Sequence, residues 1–385
     1  MLDLKKKILF AIHYLELGGA ERSLLGLLES LDYSRVEVDL FVYRHQGELM
    51  PAIPPQVHLL PEIPEYAQIE RPIRDVLRDG YWRIALARMR AKRQYAAYAR
   101  KHRPKDNTAV YSYISRNLVS VLPKINPGKK YDIAVSYLMP HDYVLKKVTA
   151  KRKVAWIHTD YSQIDIDAQL ELPVWSGYDR IVSISDSVSK QFLASFPSLA
   201  DKIRVIPNQV PCAWVRQQAL AMPVEEVEME MPRTPGRINL LSVGRFSHAK
   251  NYDNVPDICR RIRAAGLDVC WYLIGFGEEE PLIRRKIQEC GMGDYVRLLG
   301  KKENPYPYMK ACDIYVQPSR YEGSPMTVLE AKALDKPVVL SAFPTARSVV
   351  RDGVDGFIVP LDNAGCAYGI ATLIKDGNRF TFDSL

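Results

Sequence analysis

Short apolar runs, each closed by a turn residue and followed by helical spacing, leave this chain few folds to choose from. The first run covers residues 7–13. Gly18 and Gly19 follow it, and then Leu24, Leu25, Leu27, Leu28 and Leu31 recur at helical spacing. Strand, glycine turn and helix is how a Rossmann-like unit opens. Further strands are predicted over residues 36–42, 57–60, 131–138, 153–158, 180–185 and 203–206, and again over 238–243, 269–274, 296–300, 314–318, 338–341 and 356–359. Such runs alternating with helices predict an α/β fold built on parallel sheets. The spacing G-x-G-x-x-G is missing after the first run, so a dinucleotide site is a weak reading.

A chain of 385 residues is too long for one ordinary core and fits two domains. Residues 211–236 interrupt the alternation with Pro211, Pro223, Pro232, Pro235 and Gly236 among Glu225, Glu226, Glu228 and Glu230, which reads as an interdomain linker. The expected organisation is a first Rossmann-like domain over 1–210, the linker 211–236, and a second Rossmann-like domain over 237–385.

Residues 322–330, EGSPMTVLE, bring two carboxylates to a predicted helix start. Ser324 is a good N-cap and Pro325 suits the first helical position, so a helix is expected from here through Leu334. Its N–H groups and positive dipole end suit phosphate, while Glu322 and Glu330 can accept hydrogen bonds from sugar hydroxyls. Taken alone, two glutamates and a glycine fit solvated surface residues as well. Around them, however, stand Gly244, Arg245, Lys250 and Asn251 upstream and Lys336 and Pro337 downstream. This ensemble resembles the donor-binding domain of the retaining glycosyltransferases of family four (glycosyl transferases group 1). Their mark is a Glu, seven residues, Glu element preceded by an Arg…Lys pair. The resemblance runs from about Lys7 to Asp376 and implies the GT-B fold: α/β, two Rossmann-like parallel-sheet domains facing a cleft.

By that resemblance the chain moves a sugar from a nucleotide donor (a UDP-, GDP- or ADP-sugar) to a glycan or lipid-linked acceptor, with retention at the anomeric carbon and without a metal or other cofactor. Arg245 and Lys250 would neutralise the leaving phosphate together with the backbone around Ser324, Pro325 and Met326. Glu322, after which Gly323 turns the chain, would hold a hydroxyl of the transferred sugar, and Glu330 the ribose. Gly275, Gly277 and Lys301 would lie near the nucleoside, Gly18 and Gly19 near the donor phosphates, and His158 beside the donor sugar. Departure of the nucleoside diphosphate builds charge on the β-phosphate, where preorganised cations and amides act most strongly. No nucleophile stands out, which favours a front-face substitution. Asp335 takes a turn position where this family commonly has glycine, and GNRFTFDSL stands where it usually has a long helix crossing back to the first domain.

The net charge of +8 is local. Residues 71–105 carry twelve Lys/Arg against Asp75 and Asp79, a local +10, so the remainder sums to −2. Helical spacing puts Trp82, Leu86 and Met89 on one face with Arg83, Arg88, Arg90 and Arg93 around them. That is a signature of an anionic membrane surface such as the inner leaflet, against the alternative of a solvated charged face. The segment carries none of the nucleic-acid-binding motifs. Cys212, Cys259, Cys270, Cys290, Cys312 and Cys366 have no paired short spacing, which argues against zinc or a disulfide framework and for a cytoplasmic setting. Rival readings are another GT-B enzyme, such as a nucleotide-sugar epimerase, and a non-catalytic sugar-binding protein at a membrane surface.

Overall fold

The computed structural model describes residues 5–377 apart from 17 and 163, so the C-terminal segment singled out above lies almost wholly outside the described residues. The chain divides into two compact units, Met1–Gln209 and Val210–Leu385.

The first unit runs β1 (Lys6–Ile12), α1 (Gly19–Glu29), β2 (Val36–Val42), β3 (His58–Leu59), α2 (Pro64–Ala67), α3 (Ile73–Arg78), α4 (Trp82–His102), α5 (Ala109–Leu118), β4 (Tyr131–Ser136), α6 (Asp142–Lys147), β5 (Ala150–Ile157), α7 (Ala168–Ser176), β6 (Arg180–Ser183), α8 (Asp186–Ser195) and β7 (Ile203–Val205). Its parallel sheet has the order β3-β2-β1-β4-β5-β6-β7. The chain leaves β1 toward β2 on one side and returns to β4 on the other. The strand order therefore reverses at the β1–β4 boundary, which is where open α/β sheets bind ligands.

The second unit runs α9 (Cys212–Gln218), α10 (Val224–Glu230), β8 (Ile238–Val243), α11 (Val255–Ala264), β9 (Val269–Ile274), α12 (Glu280–Glu289), β10 (Val296–Gly300), α13 (Tyr306–Ala311), β11 (Ile314–Gln317), α14 (Met326–Ala333), β12 (Val338–Ser341), α15 (Ala346–Val349), β13 (Phe357–Val359) and α16 (Asn363–Lys375). Its parallel order is β10-β9-β8-β11-β12-β13, reversing between β8 and β11. Successive strand residues feed opposite cores: Leu240, Trp271 and Val339 one, Leu241, Tyr272 and Val338 the other.

Three expectations are corrected. Residues 211–236 are not an open linker: they supply α9 and α10, whose Val215, Ala219, Val227 and Met231 are buried in the core of the second unit. Pro211 and Pro223 sit at the starts of those helices, where proline costs no hydrogen bond, and Glu225 and Glu226 favour the positive end of α10. Arg216 Nε donates to the Ala333 carbonyl at 3.0 Å and ties α9 to α14.

The second correction is Arg88, which faces inward. It is 6% exposed and its Nη1 donates to the carbonyls of Gln68 and Arg71. Arg83, Arg90 and Arg93 are exposed, as are Trp82 (59%), Leu86 (52%) and Met89 (41%). The stripe Ile84, Ala85, Arg88, Ala91 and Tyr95 is what α4 buries. Arg88 shares that stripe by helical spacing, and the main-chain carbonyls it meets belong to residues distant in sequence.

The third is at α14, which starts at Met326 with Pro325 in the N-cap position and no side-chain cap. Ser324 therefore does not cap the helix. Asp335, as its turn position suggested, is left-handed with φ 56°.

Candidate functional site

The reversal point of the second sheet collects the loops after β8 and β11. Asn251 takes the left-handed φ of 62° and its Nδ2 donates to the Pro318 carbonyl at 2.9 Å, lacing one loop to the other. Lys250 is thereby presented to Glu322: its Nζ lies 2.7 Å from Oε1, with both side chains largely buried. The same oxygen accepts from Gln317 Nε2 at 2.9 Å and Ser319 Oγ at 2.5 Å. Thr345 Oγ1 holds the Glu322 carbonyl at 2.7 Å. Three donors on one oxygen fix the carboxylate and leave its second oxygen, Oε2, for a further donor. Arg245, two residues past β8, is exposed and its guanidinium has no partner among the described residues.

Glycines set the backbone spacing here. Gly275 (φ 151°) and Gly277 (φ 158°) pass so close to the loop after β8 that a Cβ would fall 1.9 Å from the Gly244 carbonyl oxygen and 2.3 Å from that of Phe246. Gly275 N–H donates to the Gly300 carbonyl at 2.9 Å. Between the two glycines Phe276 stands 54% exposed, with Lys301 Nζ 5.6 Å from its ring centre. An exposed ring held by a rigid turn offers a stacking face.

At α14, Val328 N–H bonds back to the Pro325 carbonyl at 3.1 Å, so the first-turn donors are those of Met326 and Thr327, and Pro325 has no N–H to give. Gly323 and Ser324 lead into this turn. Glu330 is wholly buried, and Tyr306 of α13 donates to its Oε1 at 3.1 Å. Tyr306 in turn packs edge-on against Trp214 of α9, with ring centres 5.5 Å apart.

In the first unit His158 follows β5 and lines a cavity of about 230 Å³ with His13, which follows β1, and His141, which precedes α6. Burial pulls His13 down to about 4, opposed by a hydrogen bond to the Met139 backbone, and pulls His141 and His158 down to about 3. All three imidazoles are neutral at ordinary pH. His141 Nδ1 lies 2.8 Å from Ser136 Oγ; its Nε2, His158 Nε2 and Trp156 Nε1 have no hydrogen-bond partner among the described residues. Buried polar atoms without partners are rare and costly, and here they line an aromatic cavity. Tyr14, Tyr111, Tyr161 and Trp175 complete much of its wall.

Gly18 is the N-cap of α1 with φ −110°, and Gly19 is the first helical residue. A Cβ on Gly18 would lie 1.9 Å from Glu21 Oε2 and displace that carboxyl, which is buried and shifted upward by desolvation.

Lys250 and Glu322, expected on separate tasks, are brought into one ion pair, and Arg245 stands two residues past the strand that leads to it. Sequence reasoning missed Gln317, Ser319, Phe276, His13 and His141. His13, like His158, directly follows a parallel strand, and that position was a signal that could have found it. An aromatic residue between two glycines at a strand end was also a usable signal. Among the described residues no three His, Cys, Asp or Glu are arranged to hold a metal, and no helix is long and apolar enough to cross a membrane.

Residues 226–379 match the family described as glycosyl transferases group 1. The chain is 24% identical over 311 residues to the amylovoran biosynthesis glycosyltransferase AmsK of Erwinia amylovora, covering 71% of this chain and 76% of the relative. It is 29% identical over 200 residues to the N-acetylgalactosamine-N,N'-diacetylbacillosaminyl-diphospho-undecaprenol 4-alpha-N-acetylgalactosaminyltransferase of Campylobacter jejuni, covering 51% of each. Among solved structures, Anabaena Alr3699/HepE in complex with UDP and glucose superposes with a TM-score of 0.63 at 16% identity, covering 97% of this chain and 91% of that one.

Proposed function

We propose that this chain, whose residues 226–379 match the glycosyl transferases group 1 and which has the GT-B fold, transfers a sugar, with retention, from a nucleotide-sugar held by the second unit to a hydroxyl of an acceptor held by the first. The observation that carries this reading is the Lys250–Glu322 pair beside the start of α14, with the exposed Arg245 two residues past β8. The UDP and glucose in the Anabaena structure support a UDP-hexose as the donor.

In the proposed reaction the bond from the anomeric carbon to the β-phosphate oxygen breaks and the acceptor oxygen bonds to the same face. The acceptor's proton goes to the leaving phosphate, so the protein needs no nucleophile. Arg245, Lys250 and the N–H groups of Met326 and Thr327 stabilise the charge that develops on that phosphate. An ammonium has three donors, so Lys250 can keep Glu322 and serve the phosphate as well. Glu322 Oε2 takes a hydroxyl of the transferred sugar. Glu330 takes the ribose, whose hydroxyl replaces that of Tyr306, and the base stacks on Phe276. Neutral His158 serves the sugar hydroxyls as an uncharged partner.

The acceptor is a lipid-linked or polysaccharide intermediate of cell-surface glycan synthesis, as the amylovoran and diphospho-undecaprenol relatives support. Trp82, Leu86 and Met89 with Arg83, Arg90 and Arg93 then rest on an anionic membrane surface, each cation contributing about 1 kcal/mol near the leaflet. The protein should sediment with vesicles containing anionic lipid at low salt and be released at high salt, with neutral vesicles ignored. Retention in the supernatant with anionic vesicles at low salt removes the membrane from this reading.

A thermal-shift panel of UDP-, GDP- and ADP-sugars, followed by donor turnover with and without acceptors, tests the enzymatic reading, since bound donor stabilises by mass action. The expected result is stabilisation by a UDP-sugar and turnover that acceptor accelerates. Epimerisation without acceptor, or binding without turnover, overturns it.

A further inference from the structure

A second cavity of about 340 Å³ opens between α5, α6 and α7 in the first unit. It adjoins the one beside His158, and Tyr111, Met139, His141 and Trp175 line both. The first cavity alone, at about 230 Å³, is smaller than the roughly 300–1,000 Å³ usual for ligand pockets. Two adjoining chambers fit a longer ligand.

The second chamber is furnished for hydroxyls. Glu171 Oε1 accepts from Ser112 Oγ and Asp142 Oδ2 from Ser115 Oγ, each at 2.7 Å. A carboxyl oxygen can accept two hydrogen bonds, so each keeps capacity toward the chamber. Desolvation shifts both acids upward from the usual carboxyl range. At the seam, His141 is anchored by Ser136 through Nδ1 while its buried Nε2 has no partner among the described residues. Trp175, only 2% exposed, stacks obliquely on His141 with ring centres 4.4 Å apart. Aromatic rings, an uncharged imidazole and fixed carboxyls, with Arg116 and Lys146 on the same wall, suit a sugar ring, which has apolar faces and a rim of hydroxyls.

We infer that the acceptor presents two consecutive sugar rings to the first unit: the accepting ring beside His158, and the preceding ring in the chamber between α5, α6 and α7. This rests on the glycosyltransferase reading and deepens it, because it sets the minimum length of the acceptor. His141 touches both rings and acts as the hinge between the subsites. A single-ring acceptor leaves its Nε2 and the Asp142–Glu171 chamber unmatched.

The test supplies the donor that gives the largest thermal shift. Acceptors are methyl glycosides of glucose, galactose and N-acetylglucosamine, set against methyl cellobioside, methyl lactoside and methyl N,N'-diacetylchitobioside. At least one disaccharide should exceed its component monosaccharides tenfold or more in kcat/KM. Val174→Trp, which fills the second chamber from α7, should bring that ratio close to one. Gln169→Trp, on the exposed side of the same chamber, repeats the test where folding is not at stake. Donor turnover with no disaccharide advantage overturns the inference, and so does an equal loss on both acceptor classes in either variant. A wild-type protein that turns over no donor instead defeats the glycosyltransferase reading itself.

Discussion

The two sheet-reversal points of this molecule are built from opposite materials. After β1, β4 and β5 the first unit gathers neutral imidazoles and aromatic rings, with His13, His141 and His158 all buried. After β8 and β11 the second unit gathers formal charges: Lys250 locked on Glu322, and Arg245, whose guanidinium has no partner among the described residues. On the proposed reading, the same topology makes one site for uncharged hydroxyls and one for a group whose negative charge grows during reaction. A fold decides where a site lies; the side chains at the strand ends decide which electrostatic problem it solves.

The contrast is broken most directly at the charged site. Arg245→Ala and Lys250→Ala should each lower kcat by about 10²–10³, or about 2.7–4 kcal/mol of transition-state stabilisation. The acceptor KM should move little, and added chelator should not alter either variant's rate. Full activity in the double variant ends the phosphate role of both residues.

A smaller effect separates the two glutamates. Glu322→Gln should lower kcat roughly tenfold with donor KM near wild type, because its partner is the sugar whose charge changes. Glu330→Gln should mainly raise donor KM, as a contact made equally in ground and transition states does. The reverse pattern would exchange their assignments.

The smallest effect sharpens the neutral site. A buried histidine whose folded value lies at about 3 refuses a proton that the unfolded chain accepts below about 6.5. Stability from His158 is therefore present above that unfolded value and is lost as the pH falls below it. Between pH 7 and 5.5 the loss is about 1 kcal/mol for each such histidine. Glu21, Glu70, Asp142 and Glu171, all raised by burial, act in the opposite sense as pH falls, so wild type alone is not diagnostic. Urea unfolding of wild type and His158→Gln at both pH values isolates the term. Equal pH slopes would mean that His158 is protonated in the folded protein.

Much of this arrangement is legible without coordinates. The second sheet's strands over 238–243, 269–274, 296–300 and 338–341 fall where their apolar runs place them, because parallel strands buried on both faces are continuous apolar runs bounded by turn residues. His158 stood out as a histidine at the end of a parallel strand, whereas Arg245, Lys250 and Glu322 stood out through the resemblance to a known family's pattern of an Arg…Lys pair and two spaced glutamates. Residues 211–236 were not. Their prolines and acids read as an open connection, and only burial of Val215, Ala219, Val227 and Met231 identifies them as helices of the second unit.

Sequence alone thus determined the fold class, the strand ends and the residue types available there, because periodicity and turn chemistry are local. Tertiary structure decided what those residues meet. It paired Lys250 with Glu322 across 72 positions of chain and turned Arg88 inward onto the carbonyls of Gln68 and Arg71. It sank Glu330 beneath Tyr306 and put three histidines from three distant segments around one cavity. Those outcomes depend on long-range packing and desolvation, which have no period along the chain.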